Sequence, residues 1–166
     1  MPKSDQGVSG GRYQIIPRSL IFITREDQVL LLKGSPHKRL WANRYNGIGG
    51  HIERGEDILN AARRELFEET GLTVNRLWLC GVVMVDASDG VGIGVFVFRG
   101  EYEGGDLHRS EEGELKWVKG EEYLGLHLVE DLPFLLPRVL AAQPGDPPFA
   151  GLTDYDVQDQ LRIRFA

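Results

Sequence analysis

The chain has 166 residues, 42% of them hydrophobic and 27% charged, which suits one globular domain with a sizeable core. Its net charge of −6 and pI of about 5.2 disfavour non-specific binding to long nucleic acid, and an anionic small substrate would need a cation to neutralise its site. No apolar run reaches membrane length and no signal peptide opens the sequence, so the expected location is the cytoplasm.

Residues 1–11 (MPKSDQGVSGG) are polar and glycine-rich and read as a flexible tail ahead of a single domain over 12–166. Arg18 to Arg25 (RSLIFITR) and Val29 to Lys33 (VLLLK) read as two strands, and their short join at Glu26-Asp27-Gln28 predicts a hairpin. Ser35 to Tyr45 (SPHKRLWANRY) is a basic, aromatic loop. It suits the rim of a nucleotide pocket, or equally a solvated loop that Trp41 anchors to the core. Gly47-Ile48-Gly49-Gly50 lets a backbone approach a ligand closely and would free a carbonyl as a metal ligand.

A helix is predicted over 57–70. Asp57 suits its N-cap, Gly71 suits the left-handed position beyond its end, and Ile58, Leu59, Ala62 and Leu66 form one apolar stripe. Glu65, Glu68 and Glu69 stand at i, i+3 and i+4 and share a neighbouring face. Three carboxylates this close repel one another. A bound divalent cation relieves the repulsion, and hard oxygen ligands favour Mg²⁺. Arg64, four residues before Glu68, could hold it in place. An acidic patch beside an apolar stripe is by itself most often a solvated helix face; the preceding glycines, Glu56 and the spacing are what favour a site.

Leu77 to Val85 (LWLCGVVMV) reads as a strand holding the lone Cys80, which can form no internal disulfide and is read as buried and inert. A turn follows at 86–90, then a strand over 91–98 in which Gly92 and Gly94 mark a close approach or a bulge. Residues 100–113 read as a polar acidic loop and 115–118 (LKWV) as a short strand. Trp78 and Trp117 are read as core. Residues 132–142 suit a helix, with Pro133 in its first turn and Pro137 demanding a kink or break. A proline-rich connector over 143–148 and an edge strand over 161–165 (LRIRF) complete the chain. Strands before and after one long helix, with a second helix late, give an α/β mixed sheet between helices. The histidines show no paired metal spacing.

The stretch GHIERGEDILNAARRELFEETGL, from Gly50 to Leu72, resembles the Nudix box. Gly50, Glu56, Arg64, Glu65, Leu66, Glu68, Glu69, Gly71 and Leu72 fill all nine specified positions. The resemblance implies an α/β/α sandwich with a mixed, strongly twisted β-sheet and Mg²⁺-dependent hydrolysis of a nucleoside diphosphate linkage, with Mn²⁺ a possible substitute. It implies metal ligands at the Gly50 carbonyl, Glu65, Glu68 and Glu69, an ion pair of Glu56 with Arg64 framing loop and helix, and a further carboxylate from the loop before a late strand. Of Glu111, Glu112 and Glu114, Glu112 is chosen. The general base stays open among these glutamates.

Arg44-Tyr45-Asn46-Gly47-Ile48-Gly49-Gly50 and the segment Val129 to Pro137 further resemble the oxidised purine nucleoside triphosphatases of that family. Asn46 and Asp131 are then the candidates to bind the base, and Gly49 and Gly50 are further substrate-binding candidates. Tyr45 stands where those enzymes have Trp, and their base-stacking Trp before the aspartate has no counterpart. The implied substrate is an oxidised or ordinary purine nucleoside triphosphate, cleaved to monophosphate and pyrophosphate. The alternatives are another nucleoside diphosphate derivative, such as a nucleotide sugar, and a non-catalytic nucleotide sensor. The oligomeric state stays open.

Overall fold

A computed structural model describes residues 2–8, 10–88, 90–108 and 110–166. Met1 and Ser9 of the expected tail, Asp89 of the expected turn and Arg109 of the expected acidic loop lie outside the described residues.

Strands β1 (Gln14–Arg25) and β2 (Gln28–Gly34) turn back on each other, but they pair only at Thr24–Val29 and Arg25–Gln28. Beyond that point they diverge. The edge that β2 leaves open takes β3 (Tyr45–Asn46), with Leu32 opposite Asn46. The edge that β1 leaves open takes the glycine-rich segment: Ile21 and Ile48 exchange backbone bonds, and the Ser19 N–H donates to the Gly50 carbonyl at 2.9 Å. The expected hairpin is thus real but opens into a V, and the glycines lie along it. Gly49 takes φ 147°, and a side chain there would strike the Ser19 carbonyl.

On its other edge β1 runs parallel to a later strand, β5 (Val91–Glu101), which is antiparallel to β4 (Leu77–Ser88). Strand β6 (Gly113–Lys119) pairs with β2. Beyond β4 lie β7 (Phe149–Tyr155), parallel to it, and the edge strand β8 (Leu161–Phe165). The result is one mixed, eight-stranded sheet in the order β3-β2-β1-β5-β4-β7-β8, with β6 on β2. Strand β7 was not expected from the sequence.

Side chains alternate across the sheet, so both faces are apolar and both are covered. On one face Ile21, Ile23, Leu30 and Phe98 pack with Ala62 and Leu66 of α1 (Ile58–Thr70). On the other, Phe22, Leu31, Val83 and Val97 pack with Leu132, Leu135, Leu136 and Val139 of α2 (Leu132–Ala141). This is the three-layer α/β/α arrangement. Truncating Leu66, which is 1% exposed, to Ala would cost about 2–5 kcal/mol.

Helix α1 begins and ends where its caps dictate. The Asp57 carboxylate accepts the N–H groups of Leu59 and Asn60 at 3.0 and 2.9 Å, and Gly71 turns left-handed with φ 76°. Helix α2 carries Pro133 in its first turn and is not broken at Pro137. Its end is held from β5, where Arg99 Nη1 donates to the carbonyls of Leu140 and Ala142 at 2.7 and 2.8 Å. Cys80 is buried, and burial pushes its thiol up to about 12, so it is inert. Trp78 and Trp117 pack against the two core clusters as expected. Among the described residues no helix is long and apolar enough to cross a membrane.

Candidate active site

Helix α1 presents its acidic face to the glycine segment that lines the V between β1 and β2. Gly50 sits so close to Glu65 that a Cβ built on it would lie 2.7 Å from both carboxylate oxygens. Glu69 lies deeper, 8% exposed, and accepts the Gly49 N–H at 3.3 Å. Burial, with Glu65 and Glu112 nearby, pushes its carboxyl up to about 7. Such a group is short of positive charge.

Arg64 organises the rest. Its guanidinium grips Glu56 with two bonds, reaches Glu65 at 2.8 Å and Glu68 at 3.1 Å, and donates to the His51 carbonyl at 3.1 Å. Glu56 also accepts the Glu53 N–H at 3.0 Å, closing the turn that Gly55 allows with φ 94°. Arg64 holds the Glu56 carboxyl down at about 2, and Glu56 in turn raises Arg64. The sequence reading paired Arg64 with Glu68 and Glu56; the structure adds Glu65.

Glu112 comes from the end of the acidic loop. It shares a small cavity of about 430 Å³ with Glu65, Glu68, Glu69 and His108, and it is ion-paired to Lys38. His108 itself closes α1, its ring nitrogen bonding the Glu68 carbonyl at 2.9 Å.

The donors suit a hard divalent cation: all are oxygens, one is a buried carboxylate between two others, and a glycine makes the room. Two details qualify the sequence reading. The Gly50 carbonyl already accepts the Ser19 N–H, so one lone pair is left for a ligand. Among the described residues no three acidic, His or Cys groups already converge as a metal cage, and Arg64 supplies the positive charge beside Glu65 and Glu68.

From these carboxylates a cleft of about 1050 Å³ extends over the sheet. Gly49, Gly50, Glu65, Glu69 and Glu112 line it, and so do Asn46 and Asp131. The Asn46 side-chain oxygen accepts the Gly47 N–H at 2.8 Å, which leaves its amide NH₂ for a ligand. Asp131 stands at the start of α2 without capping it, and burial raises its carboxyl above the ordinary range. The 35–45 loop forms one rim. Lys38 ties it to Glu112 and Arg44 ties it to Glu130. Trp41 is 44% exposed on this rim with φ 59° and does not anchor the loop in the core. Arg18, Ser19, Val85, Thr153 and Tyr155 also line the cleft and were not singled out from the sequence. For the last two the missing signal was the strand that carries them.

The model of the NUDIX domain matches residues 16–139. The chain is 34% identical over 100 residues to the oxidized purine nucleoside triphosphate hydrolase of Danio rerio, a match covering 60% of this chain and 63% of that protein, just under two thirds of it. It is 28% identical over 144 residues to the protein of the same name from Mus musculus, covering 86% and 88%. It is also 28% identical over 112 residues to the NAD-capped RNA hydrolase NudC of Haemophilus influenzae, covering 66% of this chain and 41% of that protein. Among solved structures, a MutT protein from Bacillus halodurans superposes with a TM-score of 0.75 at 29% identity, covering 91% of this chain and 97% of that one. Proteins of this family generally use divalent cations to hydrolyse small nucleotides, and with the domain model matching most of this sequence, the chain belongs to the Nudix hydrolases.

Proposed function

We propose that this protein is a Mg²⁺-dependent nucleoside triphosphate pyrophosphohydrolase. It releases a nucleoside monophosphate and pyrophosphate, with an oxidised or ordinary purine deoxynucleotide as substrate. The observation that carries this reading is one continuous cleft that joins Gly50, Glu65, Glu69 and Glu112 to Asn46 and Asp131. A diphosphate and a base need both.

The Gly50 carbonyl, Glu65, Glu68, Glu69 and Glu112 would hold the Mg²⁺, for which Mn²⁺ can substitute. When bound, the ion lowers the pKa of water and neutralises phosphate charge. The chain's own groups do the rest. A glutamate of this set takes the proton of the attacking water. Glu56 and Arg64 fix the helix against the loop, so that the carboxylates face the Gly49-Gly50 backbone. The Asn46 amide donates to the base edge. The Asp131 carboxyl, with its raised proton affinity, stands ready to donate or accept there. The names of the Danio rerio and Mus musculus relatives support a purine triphosphate.

A second reading within the same chemistry is cleavage of another nucleoside diphosphate derivative, such as a nucleotide sugar; the similarity to the NAD-capped RNA hydrolase NudC supports a substrate other than a plain triphosphate. A nucleotide sensor without turnover is disfavoured, because Glu65, Glu68 and Glu69 are all retained. The test is a hydrolysis panel with Mg²⁺ over purine and pyrimidine triphosphates, their oxidised forms and nucleotide sugars. Highest kcat/KM on a purine triphosphate supports the proposal; a nucleotide sugar at the top supports the second reading. Tight binding without turnover supports the sensor. In the same panel, Asn46→Ala is expected to weaken discrimination between bases more than it lowers kcat.

A further inference from the structure

Thr153 lies inside β7, where neighbours on both sides are apolar: Val85 of β4 and Ile163 of β8 stand in register with it. It is 1% exposed. Packing alone would be served by Val, which has the same shape. The hydroxyl costs stability there, because its Oγ1 is buried and has no hydrogen-bond partner. Such a group calls for an explanation. Thr153 lines the cleft, and it does so beside Val85, Ile93, Val95 and Leu161, with Tyr155 two residues on. These apolar side chains make a wall against which a planar ring can lie, and the Thr153 hydroxyl, buried among them, is the polar atom that a base pressed into this wall can meet. A hydroxyl both donates and accepts, so it can satisfy a ring nitrogen or an exocyclic oxygen.

We infer that Thr153 is a specificity-determining residue whose hydroxyl hydrogen-bonds the nucleobase, completing with Asn46 and Asp131 a three-point reading of the base. The inference rests on the proposal that the cleft takes a nucleotide. A site built around a buried hydroxyl binds a base that answers it and rejects one that leaves it unpaired.

Two variants separate hydrogen bonding from packing. Thr153→Val keeps the shape and removes the hydroxyl; Thr153→Ser keeps the hydroxyl and removes a methyl. Steady-state kinetics on the preferred nucleoside triphosphate with Mg²⁺ are expected to show kcat/KM lowered at least about 10-fold in Thr153→Val, through KM, with kcat within about twofold. Thr153→Ser should stay within about threefold of the wild type. The melting temperature of Thr153→Val should be unchanged or higher, since an unpaired polar group has been removed. Equal kinetics in the wild type and Thr153→Val, or equal losses in both variants, would overturn the inference. If the wild type turns over no nucleoside triphosphate, the proposed reaction fails on its own. The inference is then read from dissociation constants of AMP and GMP, which need no turnover. Thr153→Val should weaken one of them at least about 10-fold, and unchanged constants would overturn it.

Discussion

Arg64 meets the carboxylate of Glu56 side by side, Nε donating to Oε1 at 2.7 Å and Nη2 to Oε2 at 2.9 Å. The residues are eight apart, so this fork fixes the loop before α1 to the helix itself. The remaining guanidinium edge steadies Glu65 and Glu68. Arg64→Lys keeps the charge but cannot make the fork. It should lower kcat/KM about 10–100-fold while the far-ultraviolet circular dichroism stays unchanged. Activity equal to the wild type would remove Arg64 from the positioning of the carboxylates.

The same pair makes a pH-dependent contribution to stability. The Glu56 carboxyl is lowered from its ordinary 4.5 to about 2 in the folded protein. A lowered acid stabilises the fold above its unfolded pKa, and that stabilisation is lost as pH falls through the folded value. The contribution should therefore be constant above about pH 5 and fall between 4.5 and 2. Denaturant melts of wild type and Glu56→Gln should differ in slope only in that acid window. Parallel curves there would show that the pair contributes nothing to stability.

Glu69 has the opposite sign. Its carboxyl is raised from 4.5 to about 7, chiefly by burial. Between these values the folded chain holds a proton that the unfolded chain has released, so stability falls as pH rises, by up to about 1.4 kcal/mol per unit. In chelator-treated protein, Glu69→Gln should abolish that decline. A divalent cation should oppose it in the wild type, because it binds the ionised carboxylate. A decline that persists in Glu69→Gln would assign the effect to another group.

Gly50→Ala tests the closeness of backbone and helix. The added Cβ would stand 2.7 Å from both Glu65 carboxylate oxygens, so the carboxylate must move. The side-chain end is flexible, so the fold should tolerate the change. The melting temperature should shift by only a few degrees, while kcat falls about 100-fold through the displaced carboxylate. Unchanged kcat would show that the position of Glu65 is not critical.

The acidic helix was legible because its signals are local. Asp57 and Gly71 cap it within one turn, and Glu65, Glu68 and Glu69 share a face by helical geometry. The short apolar run in RSLIFITR marked β1, a strand buried on both faces: Ile21 and Ile23 go to one layer and Phe22 to the other. What sequence reading missed depends on distant partners. Strand β7 is short and interrupted by Gly151 and Asp154; it is a strand because β4 and β8 flank it, and Gly151 is small because the Phe165 ring lies 3.2 Å from where its Cβ would be. The extension of β1 back to Gln14 likewise rests on pairing with β5. The tie between Lys38 and Glu112 joins residues far apart in the chain and leaves no local trace. Thr153 was hidden with its strand.

The most direct measurement is ³¹P NMR of the products formed from a purine deoxynucleoside triphosphate by chelator-treated protein, with and without added Mg²⁺. Nucleoside monophosphate and pyrophosphate should appear only with Mg²⁺, and Glu69→Gln should slow their formation at least about 100-fold. Diphosphate with orthophosphate as products, or undiminished turnover in Glu69→Gln, would contradict the assignment of these carboxylates to a metal-assisted diphosphate cleavage.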